Sequence, residues 1–156
     1  MEVVTIDVAD WTSVVSTLTQ HLTSAPPLNK YASAAVKAAN APLISSEDID
    51  VSFHQHDVLQ MLTPEISAHL SSANLVTLLF TLNELYTTSL PLTQKFLLHL
   101  ASILAPGALL LVVDSPGSYS SVTLNGAEKK YPMQWLLDHT LLKVAGEREE
   151  LSLIHI

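Results

Sequence analysis

The stretch Leu75-Val76-Thr77-Leu78-Leu79-Phe80-Thr81-Leu82-Asn83-Glu84-Leu85-Tyr86 decides the fold. Residues 75–82 are nearly all apolar, which suits a strand covered on both faces. Asn83 and Glu84 then form a polar tip. Ser89 is placed to cap a following helix, and Pro91 is tolerated in its first turn. Leu92, Phe96, Leu97, Leu100, Ile103 and Leu104 recur at helical spacing and form that helix's buried stripe. Pro106-Gly107 stops it. Residues 108–113 make a second apolar run, closed by Asp114-Ser115-Pro116-Gly117. The order is strand, polar tip, crossover helix, strand, polar tip: a βαβ unit. In such sheets ligands bind beyond the carboxyl ends of the strands.

Working toward the N-terminus, Ile49-Asp50-Val51-Ser52-Phe53-His54 alternates apolar and polar, the pattern of a strand. It closes at Asp57-Val58-Leu59. Leu59, Leu62, Ile66 and Leu70 indicate a short helix with Pro64 in its first turn. Val3-Val4-Thr5-Ile6 is a β-branched run ending at Asp7, as a buried parallel strand reads. Trp11, Val14, Val15, Leu18 and Leu22 follow at helical spacing and are expected to bury one face. Pro26-Pro27 ends that helix. Residues 29–41 are Ala-rich and read as helical, with Pro42 as the stop. Toward the C-terminus, residues 114–130 read as a Gly-, Ser- and Asn-containing loop. Met133, Leu136, Leu137, Thr140 and Leu141 predict a final helix. The resulting order, β-α-α-β-α-β-α-β-α, predicts a parallel doubly wound α/β sheet.

Composition narrows the function. A length of 156 residues suits one domain with a sizeable core. The apolar fraction is 48%, the charged fraction 14% and the formal net charge −8, with a pI near 5.1. Bulk charge therefore offers nucleic acid no basic face. The absence of cysteine excludes disulfides, thiol catalysis and Cys-based zinc sites, and suits an intracellular protein. No apolar run approaches the roughly 20 residues of a membrane span, and no secretory signal pattern is present.

The strand tips carry the candidate chemistry. A carboxylate ending an early strand offers two acceptor oxygens to a ribose hydroxyl pair, and Asp7 is placed for that. Asp57, after the second strand, is placed to accept from an exocyclic amine. Asn83 and Glu84 occupy the next tip. The competing reading of each acid is a cap for the helix that follows it. His54, His56 and Asp57 raise a metal alternative, but spacing places no further ligands and no metal is expected. Ser115, Ser118, Ser120 and Ser121 lack a G-x-S-x-G elbow and read as a turn. Trp11 has two readings, an adenine stack or a core side chain, of which helical spacing favours the core. Lys129-Lys130-Tyr131 with Trp135 is the one basic and aromatic patch, a candidate RNA contact or a solvated helix entry.

Three blocks carry a resemblance. Phe80-Thr81-Leu82-Asn83-Glu84-Leu85-Tyr86, Leu110-Leu111-Val112-Val113-Asp114-Ser115-Pro116-Gly117-Ser118-Tyr119 and Lys129-Lys130-Tyr131-Pro132-Met133-Gln134-Trp135-Leu136-Leu137 resemble a fungal family of S-adenosylmethionine-dependent methyltransferases. Its members methylate uridine N3 in large-subunit ribosomal RNA. The resemblance spans residues 3–142. It implies a Rossmann-like class I methyltransferase sheet, of which this chain holds the second to fifth strands with flanking helices. It implies S-adenosyl-L-methionine as cofactor, ribosomal RNA as partner, and a nuclear, nucleolar or cytoplasmic location. Residue by residue, it implies that Asp7 holds the ribose and that Asp57 and Val58 approach the adenine. Asn83 and Glu84 then line the methyl-transfer site, Asn83 also facing the cofactor, and Asp114 ends the fifth strand. The departure is at the start, where the family's first strand and glycine-rich loop have no counterpart. The chain therefore reads as part of a longer enzyme: a partial methyltransferase domain over residues 1–143, then an unassigned tail over 144–156. The alternatives are a non-catalytic interaction module, or an inactive piece of another doubly wound nucleotide-binding domain.

Overall fold

The computed structural model describes residues 1–115, 119–124 and 127–144. The tail expected to stand apart lies, from residue 145 onward, outside the described residues. The chain divides into two units, residues 1–58 and 59–156.

The first unit is built on one parallel strand pair. β1 (Glu2–Asp7) and β2 (Asp50–Gln55) run in register from Glu2↔Asp50 to Asp7↔Gln55. Parallel strands need a long crossover, and α1 (Thr12–Thr23) and α2 (Ala34–Ala38) lie within it. Asp10 starts α1 by accepting from the Thr12 amide at 3.0 Å. Ser33 caps α2 through the Val36 amide at 3.3 Å. Two expectations are corrected here. The helix predicted over 29–41 contracts to α2, because Asn29 instead accepts from the Tyr31 amide in a local turn. The stripe of α1 is not buried: Trp11, Val14 and Leu18 are 47, 51 and 58% exposed. A layer of two strands is too narrow to cover it.

The second unit holds the core. β3 (Leu75–Leu79) and β4 (Leu109–Val113) pair in parallel from Leu75↔Leu109 to Leu79↔Val113. α3 (Thr63–Leu70) precedes β3, with Pro64 in its first turn and Glu65 accepting from the Leu62 amide at 2.8 Å. α4 (Leu82–Thr88) and α5 (Leu90–Ile103) join β3 to β4. Ser89 caps α5 through the Leu92 amide, with Pro91 in the first turn, as the sequence predicts. The antiparallel hairpin β5 (Tyr119–Leu124) and β6 (Ala127–Pro132) leads into α6 (Met133–Asp138) and a π-helical turn, His139–Val144. Ile66, Leu82, Leu85, Tyr86, Phe96, Leu97, Leu100, Leu136 and Leu137 pack as the core.

Three further differences concern this unit. The strand expected over 75–82 stops at Leu79, and Asn83 and Glu84 belong to a helix rather than an irregular tip. The loop expected over 114–130 contains the β5–β6 hairpin. Only one face of β3–β4 is covered, for Leu75, Leu79, Leu109 and Leu111 are about half exposed or more. The doubly wound sheet expected from the β/α alternation thus takes the form of two parallel pairs and a hairpin, a mixed α/β architecture.

Candidate functional site

At the carboxyl end of β1–β2, register pairs Asp7 with Gln55 and so brings Asp7 and the following Asp57 to one sheet edge. The His56 amide donates to the Asp7 carbonyl at 2.9 Å, and Gln55 Nε2 donates to the Val8 carbonyl at 3.1 Å. These bonds tie the two chain exits together. Asp7 Oδ1 accepts from the Ala9 amide at 2.8 Å. That bond uses one of the carboxylate's four lone-pair sites, and the side chain is exposed. Asp57 and Val58 are half-buried beside it in sequence. Adenosine presents hydroxyl and amine donors, so two carboxylate acceptors at one strand edge fit it.

At the carboxyl end of β3–β4 the geometry is tighter. The Phe80 amide donates to the Val113 carbonyl at 2.7 Å, extending the ladder one residue beyond β3. Phe80 then turns with φ +55°, a left-handed conformation that costs a side-chain-bearing residue about 1–2 kcal/mol. The turn swings the chain directly into α4 and leaves the ring 65% exposed. Thr81, at the α4 N-cap, gives no side-chain cap; its hydroxyl donates back to the Leu79 carbonyl at 3.0 Å. Asp114 fills that role from the neighbouring strand end. Its Oδ2 accepts from the Asn83 amide at 3.0 Å and its Oδ1 from the Ser115 amide at 2.8 Å. Asn83 is half-buried in the first turn of α4, and Glu84 beside it is exposed.

Asp7, Asp57 and Val58 thus share one edge in the first unit, and Asn83, Glu84 and Asp114 share one edge in the second. The capping role of Asp114 and the strained turn at Phe80 were not visible in sequence. A cap contributed by a residue distant in sequence has no local signature, and no Gly or Asn marks the turn. Among the described residues no group of three or more His, Asp or Glu is placed to hold an ion. A shallow depression in the first unit is lined by Met1, Glu2 and residues 46–50. It lies at the opposite end of the strands from Asp7, where parallel α/β sheets do not place ligands.

The sequence matches the family described as "Putative SAM-dependent methyltransferase" over residues 1–154. The chain belongs to that family. It is also 37% identical over 145 residues to the 25S rRNA (uridine(2843)-N(3))-methyltransferase of Saccharomyces cerevisiae. That alignment takes in 93% of this chain and 35% of the yeast protein, so this methyltransferase-family chain spans about a third of its relative's length. No solved structure matches it. Among the described residues no helix is long and apolar enough to cross a membrane.

Proposed function

We propose that this chain contributes the cofactor edge and the methyl-transfer edge of an S-adenosylmethionine-dependent methyltransferase. Its acceptor is a base nitrogen, uridine N3, in large-subunit ribosomal RNA, and its place of action is the nucleolus, nucleus or cytoplasm. The sheet is a Rossmann-like class I methyltransferase sheet, of which β1 to β4 are the second to fifth strands. The observation that carries the reading is the pair of acidic residues, Asp7 and Asp57, at one carboxyl edge of a parallel strand pair, in a chain of this family.

Asp7 accepts from the ribose hydroxyls, and Asp57 and Val58 meet the adenine. When bound, the cofactor supplies the electrophilic methyl carbon of its sulfonium. The chain's own task is alignment and handling of the acceptor proton. Glu84, exposed in the first turn of α4, takes the proton that leaves uridine N3. Asn83 orients the base with its side-chain amide, while its backbone amide is held by Asp114.

A second reading is favoured by one observation. Leu75, Leu79, Leu109 and Leu111 leave an apolar sheet face uncovered, which suits a non-catalytic module that pairs with another chain. Calorimetry with S-adenosylhomocysteine separates the two. Micromolar binding that ATP and NAD do not compete away, lost in Asp7→Asn, supports the enzyme. A folded chain that ignores the compound overturns it in favour of the module.

A further inference from the structure

The basic and aromatic patch noted in sequence takes a definite shape in the second unit. Tyr131, Trp135 and His139 follow one another at intervals of four along the end of β6, α6 and the π-helical turn. The Tyr131 and Trp135 rings stack with centroids 5.2 Å apart and planes 18° apart. Trp135 and His139 stack at 5.1 Å and 28°. Trp135 is 46% exposed. The opposite face of the same helix, Met133, Leu136, Leu137, Thr140 and Leu141, is buried. The core is therefore satisfied without the stack, and the aromatic row lies on the outer side. Lys130 and Lys143, which flank the row in sequence, are both exposed. The helix widens into its π turn at His139, the last ring of the row, and such turns occur often at functional sites.

Charge singles out the same strip. Residues 1–115 carry ten Asp and Glu against three Lys, whereas residues 129–143 carry three Lys and one Asp. A strip of net +2 in a chain of net −8 is where a polyanion meets least repulsion. Ring faces that accept any base, flanked by cations that meet phosphates, are the two components of single-strand binding. The acceptor chemistry requires a single strand as well. Uridine N3 lies on the Watson–Crick edge and is occupied whenever the base is paired, so the RNA must present unpaired nucleotides.

We propose that Tyr131, Trp135 and His139, with Lys130 and Lys143, form a stacking platform for unpaired nucleotides of the acceptor RNA. This rests on the RNA methyltransferase reading. Trp135, held between Tyr131 and His139, keeps the row in line; bases extend the stack from its end rings, and the two lysines neutralise phosphates.

The test uses the full chain. It holds two tryptophans, Trp11 and Trp135, so Trp11→Phe leaves Trp135 as the sole indole. Titration with single-stranded oligouridylate is expected to quench its emission, and the same RNA annealed in a duplex is expected not to. Trp135→Ala should weaken single-strand binding about tenfold, while Trp135→Phe retains most of it. Lys130→Gln and Lys143→Gln should each reduce the slope of log K against log salt by about 0.7. Oligouridylate binding without quenching, binding by Trp135→Ala equal to the parent, or no RNA binding at all overturns the platform. Calorimetry with S-adenosylhomocysteine on the parent chain keeps the two ideas apart. Cofactor binding without quenching sinks the platform alone, and absent cofactor binding sinks the enzyme reading beneath it.

Discussion

The two parallel strand pairs look alike on paper and differ in what supports them. Each contains an apolar run that ends in an aspartate, Asp7 as the last residue of β1 and Asp114 as the first residue after β4. β3–β4 stands on a core: every fully buried apolar side chain among the described residues belongs to the second unit. β1–β2 has secondary structure without one fully buried side chain. The aspartates differ in the same sense. Both oxygens of Asp114 bond backbone amides, one of them across the strand pair at the start of α4. Asp7 is exposed and secures only its own turn. The same residue type at a carboxyl strand end thus caps backbone amides with both oxygens in one unit and stays exposed in the other. Burial and hydrogen bonding, rather than topology, decide which.

Core truncation is the harshest way to break this contrast. Leu97 is fully buried on α5 and Val14 is half exposed on α1. Leu97→Ala should cost about 2–5 kcal/mol of stability, and Val14→Ser less than about 0.5 kcal/mol. Denaturant unfolding followed by circular dichroism measures both. Equal losses would show that the first unit has a core that the burial pattern does not reveal.

The aspartates give the next largest effect and sharpen the comparison most. Asp114→Ala removes the carboxylate that caps the Asn83 amide, and the loss of such a cap costs about 1 kcal/mol. Asp7→Asn keeps an acceptor for the Ala9 amide, so the melting temperature should hardly move. Its cofactor affinity should fall at least about tenfold, as expected when a charged acceptor is lost. Thermal melts beside calorimetry read the two effects separately. If Asp7→Asn destabilises as Asp114→Ala does, the division of labour between the strand ends is wrong.

Legibility in sequence follows the same physics. β1, β2, β4, α1 and α5 were readable because apolar spacing and caps are local: Ser89 and Pro91 mark α5 wherever it packs. The candidate acids Asp7 and Asp57 were readable because a strand followed by an acid is a local pattern. α4 was not, since the apolar run through residues 75–82 has no Gly or Asn at the Phe80 turn. The hairpin does carry a local signal: Asn125-Gly126 lies between β5 and β6, a dipeptide that favours tight hairpins. The exposed stripe of α1 was illegible for another reason. Spacing shows that a face is apolar, but not whether a sheet wide enough to cover it is present.

The smallest effect tests the core of the second unit at its one polar oddity. Tyr86 is 2% exposed on α4. Its hydroxyl lies beside Thr140 but makes no well-formed hydrogen bond among the described residues, and Thr140 donates instead to the Leu136 carbonyl at 2.7 Å. Burial pushes the phenol above its usual 10, and the nearby Thr140 hydroxyl offsets this only in part. The folded state therefore holds the phenolic proton more tightly than the unfolded chain does. That contribution is complete below the unfolded value and is lost as the pH climbs through the folded one. Tyr86→Phe removes a buried hydroxyl that gains little, so its stability near neutrality should stay within about 1 kcal/mol of the parent. The difference should appear only in alkali, where the parent loses stability above about pH 10 and the phenylalanine variant loses less. Parallel alkaline slopes in pH-dependent melts would mean that Tyr86 ionises as freely in the folded chain as in the unfolded one, and that this part of the core is open to water.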